Sequence, residues 1–141
     1  PAHLAALEGN VPIVSALMEA GVSVNIKTTG VVKNVFAAAQ MTPLMVAAMY
    51  IPSMAANTKA CQELVGLKAD IAAKSAQGQQ ALHSASMSSG GADTIDFLLS
   101  LKADINAVDD DVDMPLNVAV FQGQSATLCT STTENIKRLI Q

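Results

Sequence analysis

A chain of 141 residues and 14.5 kDa is long enough for one domain, and half of its residues are hydrophobic although only 3% are aromatic. Its formal charge of -4 and its scattered basic residues argue against a nucleic-acid-binding protein, because phosphate binding requires a concentrated cationic face. No apolar run approaches the roughly 18 residues that a membrane-spanning helix needs. The small apolar side chains instead predict a core of many modest contacts between neighbouring helices.

One short sequence phrase recurs along the chain. Its four copies are HLAA from His3, TPLMVAA from Thr42, ALHSA from Ala81 and MPLNVA from Met114. When His3, Met45, His83 and Asn117 are taken as equivalent, the spacings are 42, 38 and 34 residues. Internal repeats in this range predict a stacked solenoid rather than one globular core.

A second phrase follows each copy of the first, with its main apolar residues at i, i+1, i+4 and i+5, which lie on one face of a helix. Its copies begin at Ile13, Ala60, Thr94 and Asn135. A third phrase ends the first three units and begins at Ala20, Leu67 and Leu101. This third phrase is typical of a helix stop that leads into an extended turn.

These phrases resemble the ankyrin repeat, whose unit is about 33 residues with a Thr-Pro-Leu-His-x-Ala signature. Thr42-Pro43-Leu44 keeps the signature best, and His3 and His83 keep its histidine. The resemblance implies an all-α ankyrin-repeat solenoid of about four stacked helix-turn-helix units with β-turn fingers between the repeats. The predicted organisation is a single domain over residues 1–141, with repeats at 1–25, 42–72, 80–106 and 114–141 and an extended finger at 26–41.

Four positions depart from the family pattern. Lys68 and Lys102 stand where the family usually has glycine, which calls the local geometry there into question but not the fold. Met45 and Asn117 replace the signature histidine. Where the histidine is kept, the resemblance implies a hydrogen-bond network with the neighbouring signature rather than catalysis.

The excess over a unit of about 33 residues is 9, then 5, then 1 along the chain. The first excess lies in the finger at 26–41, whose apolar part is at 31–39, and the second lies near Met49–Met54, where Pro52 disfavours an uninterrupted helix. Both insertions have two interpretations. In the first interpretation, the inserted segment folds back onto its own repeats and hides its apolar side. In the second, the segment docks a partner, because exposed apolar segments mark contact sites.

The densest charge cluster is acidic. Asp109, Asp111 and Asp113 are spaced like the start of a calcium loop, but the sixth position is Met114 where the loop needs Gly, and the twelfth is Val120 where it needs Glu. We therefore expect a solvated acidic fingertip, with docking to a basic patch of a partner as the alternative. No catalytic residue, cofactor or metal site is predicted. Cys61 is predicted to be a buried thiol in a second helix.

The function that the resemblance implies is a non-catalytic protein–protein interaction module or scaffold, which binds a partner protein through its fingers and the concave face of its first helices. Two alternatives stay open: a permanent structural subunit of a larger multiprotein complex, membrane-associated or not, and a regulatory segment of a longer protein. The charged fraction of 14% and mean hydropathy of +0.35 favour the first alternative.

The predicted partner-binding residues lie in the fingers and along the first helices. They are Val31, Val32, Val35, Phe36, Met41, Met45, Met49, Tyr50, Lys74, Gln77, Asp109, Asp110, Asp111 and Asp113. Met87, Phe121 and Gln122 are further expected exposed positions. Because the chain starts at Pro1, in the middle of the first signature, we interpret it as a processed or partial segment. The expected location is intracellular, in the cytoplasm by default, with an organelle left open.

Overall fold

The computed structural model of the chain describes residues 1–29, 39–49, 54–88, 91–123 and 129–140. All regular structure in these ranges is helical. The helices are α1 Ala2–Leu7, α2 Val11–Glu19, α3 Pro43–Met49, α4 Met54–Gly66, α5 Ala81–Met87, α6 Ala92–Ser100, α7 Pro115–Gly123 and α8 Cys129–Ile140.

The helices pack in pairs, and each pair packs on the next. Each odd-numbered helix contacts the even-numbered helix that follows it, so that α1 and α2, α3 and α4, α5 and α6, and α7 and α8 are partners. The first helices then form one layer from α1 to α7, and the second helices form the other layer from α2 to α8. The core is therefore distributed along the stack between two helical layers.

Local signals explain where several helices begin and end. The side chain of Asn10 accepts a hydrogen bond from the backbone N–H of Ile13 and caps α2. Gly21, Lys68 and Lys102 follow α2, α4 and α6 and have φ values of 91°, 69° and 62°. Lysine thus takes the same left-handed conformation as glycine at this position, so the two departures from the family pattern do not change the local backbone.

Small side chains allow close approach of the helices in the middle of the stack. Ala47, Ala60 and Ala85 are fully buried there, together with larger side chains such as Leu64 and Leu98. Cys61 lies in this core, which confirms the predicted buried thiol. Burial raises the pKa of the Cys61 thiol to about 12, because the thiolate would lose its hydration.

Candidate functional site

A buried polar side chain recurs in each of the three turns between helix pairs, which we call fingers. Thr28, Ser75 and Asp109 each follow the left-handed residue of the preceding helix end by seven positions. Each side-chain oxygen accepts a hydrogen bond from the backbone N–H that closes its own finger. The three bonds are Met41 N to Thr28 Oγ1 at 3.0 Å, Gln79 N to Ser75 Oγ at 3.2 Å and Asp113 N to Asp109 Oδ1 at 2.9 Å.

This set of three residues was not predicted from the sequence, although the sequence carries a signal for it: a Ser, Thr or Asp at a constant offset from the helix end. The backbone N–H that closes the finger lies 4 residues after the buried side chain in the second and third fingers, from Ser75 to Gln79 and from Asp109 to Asp113. In the first finger it lies 13 residues later, from Thr28 to Met41. The difference of nine residues lies inside the first finger, where the repeat spacing had placed it.

The fingers are joined to one another by hydrogen bonds. The backbone N–H of Ala76 donates to the carbonyl of Ala39 at 2.9 Å, and that of Asp110 donates to the carbonyl of Gln77 at 3.0 Å. The Lys27 ammonium also reaches the Lys74 carbonyl at 2.8 Å. The described parts of the three fingers therefore form one continuous edge, called the finger edge below.

Two histidines attach the first helices to the fingers. His3 Nε2 donates to the carbonyls of Ile26 at 3.0 Å and Met41 at 2.9 Å, at the two ends of the first finger. His83 Nε2 donates to the carbonyl of Asp113 at 3.1 Å, and its Nδ1 accepts from the backbone N–H of Gln80 at 3.2 Å. These bonds confirm the predicted network, because each histidine binds the carbonyl of the residue directly before the next signature phrase, Met41 for His3 and Asp113 for His83.

The His83 bonds require the neutral ring with its proton on Nε2, since Nδ1 is an acceptor. Burial is the main cause that lowers the pKa of both His3 and His83. The positions that lack histidine keep a local contact of another kind. Met45 Sδ accepts from the backbone N–H of Thr42 at 3.5 Å, and Asn117 Nδ2 donates to Asp113 Oδ1 at 3.3 Å.

Three predicted contact residues are buried. Met41 and Met45 belong to the core, so the expectation that Met45 is exposed is wrong, and neither side chain is available to a partner. The α3 helix is covered by neighbouring helices on both sides of the stack, which explains their burial. Asp109 is also buried, because its carboxylate accepts hydrogen bonds from the backbone of Asp111 and Asp113 and from Gln79. The solvated fingertip predicted for it is wrong at this residue.

The other predicted contact residues are exposed or half-buried, or they lie outside the described residues. Lys74, Gln77, Asp110 and Asp111 are exposed on the finger edge. Met49, Met87 and Asp113 are half-buried, and Phe121 is exposed. Val31, Val32, Val35, Phe36 and Tyr50 lie outside the described residues, as does the side chain of Gln122. Contact with a partner stays a prediction for all of them.

A comparison with protein families decides the classification. The family profile described as "Ankyrin repeats (3 copies)" matches residues 2–109, about three quarters of the chain. The chain belongs to the ankyrin-repeat family. No curated protein matched the chain. The predicted all-α ankyrin solenoid is thereby confirmed, and α7 and α8 continue the ankyrin stack as a helix pair beyond the matched range.

Ankyrin repeats in general mediate protein–protein interaction and are generally non-catalytic. Among the residues that the structure describes, no three His, Cys, Asp or Glu side chains are grouped so as to hold a metal ion. None of the described helices is long and apolar enough to cross a membrane. The arrangement offers a preformed surface, whose chemistry is that of exposed amide, carboxylate and ammonium groups on the finger edge.

Proposed function

We propose that this ankyrin-repeat chain is a non-catalytic protein-binding module that contacts its partner through the finger edge and the adjoining first helices. The observation that carries the proposal is the finger edge itself. Backbone hydrogen bonds join its three fingers, while Lys74, Gln77, Asp110 and Asp111 project from it into solvent. A surface that is ordered before binding loses less conformational entropy on association.

The backbone that builds the edge is independent of the side chains that it displays. The Lys74 and Gln77 carbonyls and the Asp110 N–H form the hydrogen bonds between fingers. Replacing the side chains of Lys74, Gln77, Asp110 and Asp111 by alanine therefore leaves those bonds in place. This separation allows a contact test that does not disturb the fold.

The test is recovery of partner proteins from the native source by the wild-type chain and by a variant with Lys74→Ala, Gln77→Ala, Asp110→Ala and Asp111→Ala. The variant should lose at least tenfold in partner recovery while its thermal unfolding is unchanged. The matched control is Lys59→Ala with Gln62→Ala, which alters exposed side chains of the second helix α4. Equal partner recovery by all three proteins would contradict the proposed contact surface.

A second candidate function is that of a permanent subunit of a larger complex. The observation that favours it is the number of large hydrophobic side chains that solvent reaches. They are Leu4, Ile13, Ile26, Val108, Val112, Val120, Phe121 and Ile140. Purification of the native protein under mild conditions distinguishes the two candidates. A permanent subunit is recovered in fixed proportion with its complex, whereas a reversible module is recovered alone or with substoichiometric partners.

We also propose that the protein acts inside the cell. The buried free thiol of Cys61 supports this location, since reducing compartments preserve such thiols. Fluorescence imaging of the tagged full-length protein tests it, and secretion into the medium would contradict it.

A further inference from the structure

The charges of the finger edge are separated along the stack. The first finger, at 26–41, contains two lysines and no acidic residue, and the second finger, at 73–80, contains one lysine and no acidic residue. The third finger, at 107–114, contains four aspartates and no basic residue. The charge of the edge therefore changes sign between the second and the third finger.

The third finger also accounts for the net charge of the whole chain. Of the 12 acidic residues, four lie in this finger, and the remaining eight are balanced by the 8 lysine and arginine residues. The formal charge of -4 is thus the charge of the third finger alone.

The charged groups of the finger edge are accessible to a partner. Lys27 and Lys74 are exposed in the first two fingers, and Asp110 and Asp111 are exposed in the third. Within the part of the chain that the structure describes, the ion pairs lie on α6 and α8, so none of them neutralises these four side chains. We call Lys27 and Lys74 the basic half of the finger edge, and Asp110 and Asp111 its acidic half.

Backbone hydrogen bonds hold the two halves at a fixed separation. The Ala76 N–H donates to the Ala39 carbonyl between the first and second fingers, and the Asp110 N–H donates to the Gln77 carbonyl between the second and third. Packed helices lie about 8–10 Å apart, so the first and third fingers should be about 20 Å apart. This distance exceeds the Debye length of about 8 Å at physiological salt. The two ends of the edge therefore present separate fields of opposite sign.

We propose that the partner of the finger edge is a protein segment whose own charges are separated in the same way. Its acidic side chains lie against the basic half and its basic side chains lie against the acidic half. This inference rests on the proposed binding function and adds the chemistry of the partner. Complementary charges favour one register of the bound segment, because a shifted segment would place like charges against each other. A second copy of the chain is a less favourable occupant, since two chains of charge -4 repel each other.

The experiment compares two labelled peptides as probes for the 141-residue chain. The separated peptide has three glutamates, a Gly-Ser-Gly spacer and three lysines, and the alternating peptide has the same composition with its charges interleaved. Fluorescence anisotropy measures both dissociation constants at low and at physiological salt. The separated peptide should bind about tenfold more tightly, because each exposed ion pair contributes a factor of up to about five. This preference should decrease as salt is added.

Reversing the charge of one half should abolish the preference for the separated peptide. The basic-half variant carries Lys27→Glu and Lys74→Glu, and the acidic-half variant carries Asp110→Lys and Asp111→Lys. Lys27→Glu removes a side-chain bond to the Lys74 carbonyl but leaves the backbone bonds between the fingers in place. The combined variant with all four changes should regain the preference, because the flexible peptide can bind the reversed edge in the opposite direction.

The matched control is Lys59→Glu with Lys137→Glu. It makes the same change of charge as the basic-half variant, at exposed positions of the second helices α4 and α8. The control should keep the wild-type preference for the separated peptide. Circular dichroism should show unchanged helix content in every variant.

Equal affinities of the wild-type chain for the two peptides would overturn the inference. So would a preference that survives in either half variant, or one that the combined variant does not regain. Light scattering on the same samples tests a second copy of the chain as the occupant. Salt-sensitive dimerisation that both half variants abolish would overturn the assignment to a separate partner.

Failure of this inference is distinguishable from failure of the proposed binding function. Equal peptide affinities, together with a tenfold loss of partner recovery in the alanine variant described above, would refute only the charge pattern of the partner. Unchanged partner recovery in the alanine variant would refute the contact surface itself.

Discussion

Replacing Leu98 by alanine tests whether the helix pairs stabilise one another in series. Leu98 is fully buried in α6, and α6 contacts both α4 and α8. Its truncation removes three carbon atoms from the core, a loss of about 2.4 kcal/mol at about 0.8 kcal/mol per buried methylene. The unfilled volume adds about 1 kcal/mol, so the free energy of unfolding should fall by about 3 kcal/mol.

Leu4→Ala is the matched control, because it removes the same atoms from a side chain that is 58% exposed. Less than half of that side chain is withdrawn from water and no closed cavity forms, so the expected loss is below about 1 kcal/mol. Urea unfolding followed by circular dichroism measures both variants, and its slope reports how much surface unfolds together. The slope should fall for Leu98→Ala, because the helices on either side of α6 become less strongly coupled. Equal losses in the free energy of unfolding at the two sites would refute the expectation that each helix pair is stabilised by the pairs next to it.

Three further predictions concern a buried histidine, a close backbone approach and a strained finger. Burial lowers the pKa of His83, so the unfolded chain binds more protons than the folded chain as the pH falls below about 6.5. The contribution of neutral His83 to the free energy of unfolding is therefore fully present above that pH and is lost below it. The decline in the urea midpoint on acidification should be smaller in His83→Met, and an unchanged decline would contradict this. Gly91→Ala should lower the free energy of unfolding by about 2 kcal/mol, because the added Cβ would overlap the Ala85 carbonyl oxygen. Gly66→Ala is the control and should be neutral or stabilising, because its Cβ enters open space. Equal thermal midpoints for the two variants would contradict the clash. Val112→Gly should stabilise by about 1 kcal/mol, because a β-branched residue at a φ of 64° is strained, and a lower thermal midpoint would argue against that strain.

Sequence periodicity predicted the repeated helix pairs because each helix carries its own pattern of apolar residues, and such a pattern is readable without its neighbours. The role of the histidines was predictable for a related reason. His3 and His83 recur at the same place in the repeat phrase, and both bind the finger next to the following signature. Each bond joins a first helix to the finger that follows it in the same repeat, and this order of helix and finger can be read from the sequence.

The chemistry of the fingers was only partly predictable. The acidic cluster reads as a set of equivalent solvated carboxylates, but Asp109 accepts three hydrogen bonds within and between fingers while Asp110 and Asp111 remain exposed. The distinction depends on how the turn folds back on itself. Residue type alone does not specify which carboxylate the backbone N–H groups will face.

Whether a given apolar side chain is buried depended on the tertiary structure as well as on its repeat position. Leu4, Val46 and Ser84 occupy one position of the repeat, yet Leu4 is exposed and the other two are buried. Met45 was expected on the surface and lies in the core, whereas Phe121 projects into solvent. A repeat pattern specifies which side of a helix pair a residue faces. Burial requires in addition a neighbour on that side, and the tertiary stack alone decides where that neighbour is present.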